Sequence, residues 1–341
     1  MKTIFVVDDN NINLLAADDA LSKHYKVFTL PSSASMFELI EDVRPDLILL
    51  DILMPEMDGF ETLKILKTNG RFLDIPVIFL TSRNDAGTES QGFEMGAVDF
   101  ISKPFSKPVL LNRIKTHLDI ENVIHERTDS LKRLKNGIVT VLSNMVERRD
   151  KMTGSHIERT TKYIKILLGK MIEKGVYYDE LRQWNMETVI SSVRLHDIGK
   201  IAISDLLLNK QGSLTEEEFE LMKTHAIEGE NIIEEIIVES GDGYFLQHAK
   251  LFAGYHHERW SGTGYPHGFK GTDIPLQGRV MAVVDVYDAL VSDRPYKKAF
   301  THEKAMEIIK EGNGSHFDPK IVEVFLECEN EVKMVMLNET K

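Results

Sequence analysis

Five histidines and two aspartates from residue 156 onward in this 341-residue chain are spaced in a way that suits metal chemistry. They are His156, the pair His196-Asp197, His225, the pair His256-His257, and Asp285. Imidazole nitrogen and carboxylate oxygen together favour Mn, Fe, Co, Ni or Zn. The single cysteine, Cys328, excludes a thiolate-rich site and any internal disulfide. Adjacent residues on a regular helix diverge by about 100°, so each pair can serve one ion or bridge two. A carboxylate shared between two ions held ~3.5–4 Å apart supports a centre that acidifies water and clamps a phosphodiester for in-line attack. A lone helical histidine is more often a core or surface residue, and His24, His117, His125, His248, His267 and His302 are read that way.

A second constellation lies near the N-terminus. Asp8 and Asp9 follow one apolar run, Asp51 another, and Thr81 and Lys103 close two more. Three clustered carboxylates repel unless a hard cation such as Mg2+ neutralises them. With that charge covered, Asp51 is a nucleophile for a phosphoryl donor, and Thr81 and Lys103 sit where they can cover the transferred oxygens. The rival reading, that such acids cap helices, suits Asp8–Asn11 taken alone but not all five positions together.

The elements that must position these residues are of two kinds. Up to residue 105, apolar runs at Ile4–Val7, Val27–Leu30, Leu47–Leu50, Val77–Leu80 and Val98–Ile101 alternate with amphipathic stretches such as Asn13–Ser22 and Gly59–Thr68. That alternation predicts a doubly wound parallel sheet covered on both faces. In strand order 2-1-3-4-5 the ends of the first and third strands share one crevice. Residues 109–150 read as one long helix or two joined ones. Ile124, Leu131, Ile138 and Met145 recur every seven residues, with Leu134 and Val141 as partial partners: a dimer seam, or a face packed on a neighbouring domain. Beyond 146 the pattern is helical apart from a glycine- and proline-rich stretch, Trp260–Gln277.

The composition is that of a globular protein, 42% hydrophobic and 28% charged. A net charge of −13, with no basic recognition helix, argues against DNA as a partner. No apolar run approaches the ~20 residues of a membrane span. Acids directly after the first apolar run depart from a signal-peptide layout, so the expected location is cytoplasmic.

Residues 1–120 resemble a two-component receiver domain. The match rests on Val7-Asp8-Asp9, on Asp51 within Asp-Ile-Leu-Met-Pro-Glu-Met-Asp-Gly, on Thr81-Ser82 and on Lys103-Pro104-Phe105. The resemblance implies a flavodoxin-like fold, a cognate histidine kinase that phosphorylates Asp51, and Mg2+ held by Asp8, Asp9 and the Leu53 carbonyl. It also implies a switch formed by Thr81 and Phe100.

Residues 146–338, beyond a linker helix at 121–145, resemble the HD-GYP phosphodiesterases, an all-α branch of the HD hydrolases that cleaves cyclic dinucleotides. The carriers are His196-Asp197-Ile198-Gly199-Lys200, Lys223-Thr224-His225, His256-His257-Glu258-Arg259-Trp260, Gly264-Tyr265-Pro266, Asp285-Val286-Tyr287-Asp288 and Asp293-Arg294-Pro295-Tyr296-Lys297. The likeness implies one metal on His156, His196, Asp197 and Asp285, and a second on Asp197, His225, His256 and His257, with Fe or Mn as the ions. Some members carry a glutamate where this chain has Met152, which supports a third metal. A thioether is a poor ligand for a hard ion, so two metals are expected.

Lys200, one turn beyond the His-Asp pair, is expected to act in catalysis beside Asp197 and to hold phosphate. The resemblance puts Tyr265, Arg294 and Lys297 on the substrate. The implied reaction converts cyclic di-GMP to linear pGpG or GMP under control of phosphorylation at Asp51, with a mixed cyclic GMP–AMP dinucleotide as the alternative substrate. Two further readings stay open. One is a catalytically weak, phosphorylation-gated dinucleotide receptor. The other is a module that contacts diguanylate cyclase-type proteins through the Gly-Tyr-Pro loop.

Overall fold

The structure is a computed structural model that describes residues 1–82, 86–150, 155–241, 243–293 and 298–339. The chain forms two compact units, Met1–Leu131 and Lys132–Lys341.

The first unit alternates β1 (Thr3–Val7), α1 (Asn11–Leu21), β2 (Lys26–Leu30), α2 (Ser33–Ile40), β3 (Leu47–Asp51), α3 (Gly59–Thr68), β4 (Val77–Thr81), α4 (Ala86–Glu94) and β5 (Asp99–Ser102). All pairings are parallel and the order is β2-β1-β3-β4-β5. Successive strand residues point to opposite faces. Phe5, Val7, Ile48, Leu50, Val77 and Phe79 therefore pack against Met36 and Ile40 of α2 and Leu63 and Leu66 of α3. Ile4, Val6, Leu47, Leu49, Ile78 and Leu80 pack against Leu14, Ala17 and Leu21 of α1 and Leu110, Ile114 and Leu118. These last three belong to α5, a single helix from Lys107 to Arg149. Residues 121–145 are the middle of that helix.

The described part of the second unit is helical: α6 (His156–Glu173), α7 (Tyr178–Leu181), α8 (Met186–Ser192), α9 (Asp205–Leu208), α10 (Glu216–Ser240), α11 (Tyr244–Tyr255), α12 (Leu276–Val291), α13 (His302–Glu311), α14 (Pro319–Glu327) and α15 (Glu329–Glu339). Two 3-10 segments, Val193–Leu195 and Ile198–Ala202, fall between α8 and α9. The main core joins Tyr163, Ile164, Leu167 and Met171 of α6 to Val280, Val283, Val284 and Tyr287 of α12 and Ile321 and Phe325 of α14. A smaller core packs Val139 and Val146 of α5 with Leu195, Ile198, Ile233, Phe245 and Ala249. Among the described residues no helix is long and apolar enough to cross a membrane.

Candidate metal centre and phosphoacceptor pocket

His156 is the first residue of α6, His225 lies on α10 and Asp285 on α12. The two pairs depart from the regular helices assumed for them. His196-Asp197 lies between the two 3-10 segments, and His256-His257 lies just past the end of α11. The tighter backbone has a packing reason. A Cβ on Gly199 would lie 1.9 Å from the His225 carbonyl oxygen and 2.3 Å from the Gly229 nitrogen. Only glycine lets the His-Asp segment meet α10 this closely. A 3-10 turn also eclipses residues three apart, which sets Lys200 Nζ 2.8 Å from Asp197 Oδ2. Asp150 holds the far side of that ammonium at 2.6 Å.

Two donor clusters result, His156–His196–Asp285 and His225–His256–His257, each with ligand atoms within 4.8 Å of one another. Asp197 stands between them. Its Oδ2 is 3.3 Å from His196 Nε2, and its Oδ1 is 3.7 Å from the Nε2 atoms of both His225 and His256. The Nε2 atoms of His156 and His196 are 3.3 Å apart, and those of His257 and His225 3.1 Å.

What aims them is a set of bonds at the other ring nitrogen. Nδ1 of His196 donates to the Val193 carbonyl at 2.9 Å, that of His225 to Met222 at 2.6 Å, and that of His256 to Ala253 at 2.9 Å and Phe252 at 3.0 Å. His156 uses Asp288, at 2.7 Å from Nδ1. Arg159 donates to both oxygens of that carboxylate, at 2.6 and 2.8 Å. With Nδ1 protonated, each Nε2 keeps its lone pair for a cation.

Burial also holds three of these imidazoles neutral. It depresses His225 and His257 below the ordinary imidazole value and lowers His256 to about 3, neighbouring imidazoles adding to the effect. Burial alone would raise Asp197, yet Lys200 and the imidazoles outweigh it and keep this carboxyl well below the usual range. The donor set fits two divalent cations, with five imidazoles and one carboxylate bridging two clusters. A cavity of about 10 Å3 bordered by Glu147, Asp150, His156, Asp197 and Lys200 leaves room for about one water molecule.

Tyr265 stacks on His257, ring centroids 4.7 Å apart and planes 30° apart, with Lys223 Nζ 5.5 Å from its ring. Its loop is held by Glu258, a buried carboxylate that accepts from the amides of His267 at 2.7 Å and Gly268 at 3.0 Å. Met152, Arg294 and Lys297 lie outside the described residues. Asp288, Arg159, Asp150 and Glu147, whose Oε1 accepts from the His156 amide at 2.9 Å, had no role assigned from the sequence. Spacing offered a signal for two of them: Asp288 follows Asp285, and Arg159 follows His156, by three residues on one helix. The histidines set aside as ordinary lie outside both clusters. His267 pairs with Glu230, His248 with Gln277, and His302 with Tyr287.

In the first unit Asp8, Asp9 and Asp51 form a third possible cation cluster. Lys103 Nζ lies 2.6 Å from Asp8 Oδ2 and 2.8 Å from Asp51 Oδ2. Asp51 Oδ1 accepts from the Leu53 amide at 3.4 Å. Burial raises the Asp51 carboxyl above its ordinary value despite Lys103. Gly59 gives α3 its approach, since a Cβ there would come 2.4 Å from the Asp51 carbonyl oxygen. Thr81 ends β4, and its carbonyl accepts from the Lys103 amide at 2.7 Å. Phe100 is turned inward against Phe79 and Phe93.

Residues 4–115 match the response regulator receiver domain, and residues 140–321, over half of the chain, match the HD domain. The chain belongs to the response regulators that join a receiver to an HD-GYP domain. A probable cyclic di-GMP phosphodiesterase of Vibrio cholerae is 40% identical over 95% of this chain and 77% of its own length. The cyclic di-GMP phosphodiesterase response regulator RpfG of Xanthomonas campestris is 32% identical over 93% of this chain and 88% of its own. The 3'3'-cGAMP-specific phosphodiesterase 2 of Vibrio cholerae is 36% identical over 56% of this chain and 34% of its own length.

Proposed function

We propose that this response regulator is a metal-dependent phosphodiesterase that opens cyclic di-GMP, giving pGpG or GMP, and that phosphorylation of Asp51 by a histidine kinase controls it. The observation that carries the reading is Asp197, one carboxylate set between two imidazole clusters. His156, His196, Asp197 and Asp285 would hold one ion, and Asp197, His225, His256 and His257 the other, with Fe or Mn as the ions. When bound, such a pair supplies activated water and neutralises charge on the phosphoryl oxygens.

The chain's own groups do the rest. Five neutral imidazoles and two carboxylates leave a doubly positive centre once two divalent ions are counted, which draws an anionic dinucleotide to a protein of net charge −13. Asp150 holds Lys200 against Asp197, so the ammonium fixes the bridging carboxylate and offers protons toward the leaving 3′ oxygen. Tyr265, stacked on His257, presents an aromatic surface for a base. In the receiver, Asp8 and Asp9 would hold Mg2+ while Lys103 transfers from carboxylate to phosphoryl oxygen. Relatives matched along both units carry the cyclic di-GMP name, which favours that substrate over the mixed dinucleotide.

The test is anaerobic turnover with Mn2+ or Fe2+, following cyclic di-GMP by chromatography beside the Asp197→Ala protein. Product from the intact protein alone supports the reading. A dinucleotide left whole by protein that holds two metals per chain overturns it.

A further inference from the structure

The helical unit holds a second cavity, of about 470 Å3, bordered by Asp179, Glu180, Gln183, Trp184, Tyr244 and His248. That volume is within the range of small-ligand sites. His248 on α11 and Gln277 on α12 each stand eight residues before a candidate metal ligand, His256 and Asp285, about 12 Å back along the helices. The walls are tied in place. The rings of Trp184 and Tyr244 flank the His248 imidazole at 5.2 and 4.9 Å, at steep angles of 72° and 76°. The Tyr244 hydroxyl accepts from the Asn185 amide at 2.7 Å, which fastens the turn carrying Gln183 and Trp184 to α11. His248 is buried, and its Nδ1 accepts from the Gln277 side-chain amide at 2.8 Å. The ring proton therefore sits on Nε2. Among the described residues this N–H has no hydrogen-bond partner, yet it is not sealed from solvent, and the cavity that His248 borders is its opening. Burial holds the imidazole below its ordinary value, so it stays a neutral donor.

The lining carries two carboxylates and neither lysine nor arginine. Among the described residues Asp179 pairs only with Arg182, at 3.4 Å in an exposed contact that contributes little. Glu180 has no ion pair among them, and burial raises its carboxyl although Arg279 opposes the shift. Arg279 itself is held by Asp318 at 2.9 Å. The charge of the lining disfavours an anion. A bare metal ion is disfavoured too, because Asp179, Glu180 and His248 do not gather as the three cation clusters do. We infer that this cavity binds a guanidinium compound, the cation lying against Trp184 and Tyr244 and pairing with Asp179 and Glu180, while an acceptor oxygen of the same molecule takes the His248 Nε2–H. A guanidinium fits better than an ammonium because it is flat and weakly hydrated, so it stacks on an aromatic face and forks onto carboxylates at once. Free arginine and an arginine residue of a polypeptide share this chemistry.

The test is isothermal titration calorimetry of the full, metal-loaded chain with N-acetyl-arginine amide, its uncharged isostere N-acetyl-citrulline amide, and free arginine. The arginine amide should bind with a Kd at or below ~1 mM. It should bind at least about tenfold more tightly than the citrulline amide, which keeps the acceptor oxygens and lacks the charge. In the Asp179→Asn/Glu180→Gln protein, altered only at exposed positions, its affinity should fall about tenfold or more, with metals per chain and far-UV circular dichroism unchanged. Free arginine binding as well as the amide assigns the site to a small molecule, and binding of the amide alone assigns it to a polypeptide. No binding at ~10 mM, equal affinity for the arginine and citrulline amides, or full affinity in the double variant overturns the inference.

Discussion

The receiver pocket gathers three carboxylates, two of them paired with one lysine, whereas the helical unit gathers five imidazoles in two clusters with the Asp197 carboxylate between them. In the receiver, Asp9 is exposed, Asp8 and Asp51 sit at the ends of strands, and a single flexible Lys103 holds both buried acids. That arrangement suits a group that arrives and leaves. In the helical unit His156, His196, His225 and His256 are buried, and each has its second nitrogen tied down. That arrangement suits ions that stay.

Removing each central carboxylate is the strongest way to break this contrast. Asp197→Ala should lower turnover by about 10³-fold or more and reduce bound metal to at most one ion per chain by elemental analysis. Its phosphorylation by a small acyl phosphate, read by intact mass, should continue. Asp51→Asn should show the reverse, with no phosphoryl gain and two metals retained.

Next in size is Gly199→Ala. Its methyl would meet main chain of α10, which cannot swing aside as a side-chain tip can. Overpacking of this kind costs about 3 kcal/mol. Both tryptophans, Trp184 and Trp260, lie in the helical unit, so the loss should appear in fluorescence-monitored unfolding of that unit.

Asp288→Asn keeps the shape of its side chain but weakens the anchor of His156 and leaves Arg159 without a carboxylate. Metal affinity should fall about 10- to 100-fold, measured by competition with a chelator.

The smallest effect sharpens the comparison through pH. In chelator-treated protein, His225, His256 and His257 bind protons in the unfolded chain near 6.5 but resist them when folded, His256 down to about 3. Their contribution is present above 6.5 and is lost as pH falls toward the folded values. His196 is shifted upward and opposes the trend, one group against three. Asp51 is raised, so acid relieves rather than strains the receiver as pH falls through its folded value. Between pH 6.5 and 4 the tryptophan-bearing unit should therefore lose stability first, and equal loss in the receiver, followed by far-UV circular dichroism, would break the comparison.

Much of this was readable from residue types. The strands lie within a residue or so of the apolar runs, because branched side chains buried on both faces leave little choice of state, and Gly59–Thr68 is helical over the span its pattern indicates. The metal-ligand candidates stood out because histidine and aspartate at such density have few other uses. What did not show was the backbone that carries them. The 3-10 segments on either side of His196-Asp197 go with a glycine meeting α10, a contact between segments remote in sequence. Asp288 reaches His156 across 132 positions, a distance no local pattern reports. The heptads left one helix or two undecided, and the structure has one.

Three of the candidate ligand histidines are aimed by main-chain carbonyls, those of Val193, Met222, Phe252 and Ala253, rather than by side chains. A carbonyl is present whatever residue supplies it. The direction of each imidazole is therefore independent of the identity of its neighbour, provided the backbone keeps its path. Recoding those four positions with residues of similar size leaves the aim of the rings intact, which gives an engineer room to retune the rim of the centre without rebuilding it.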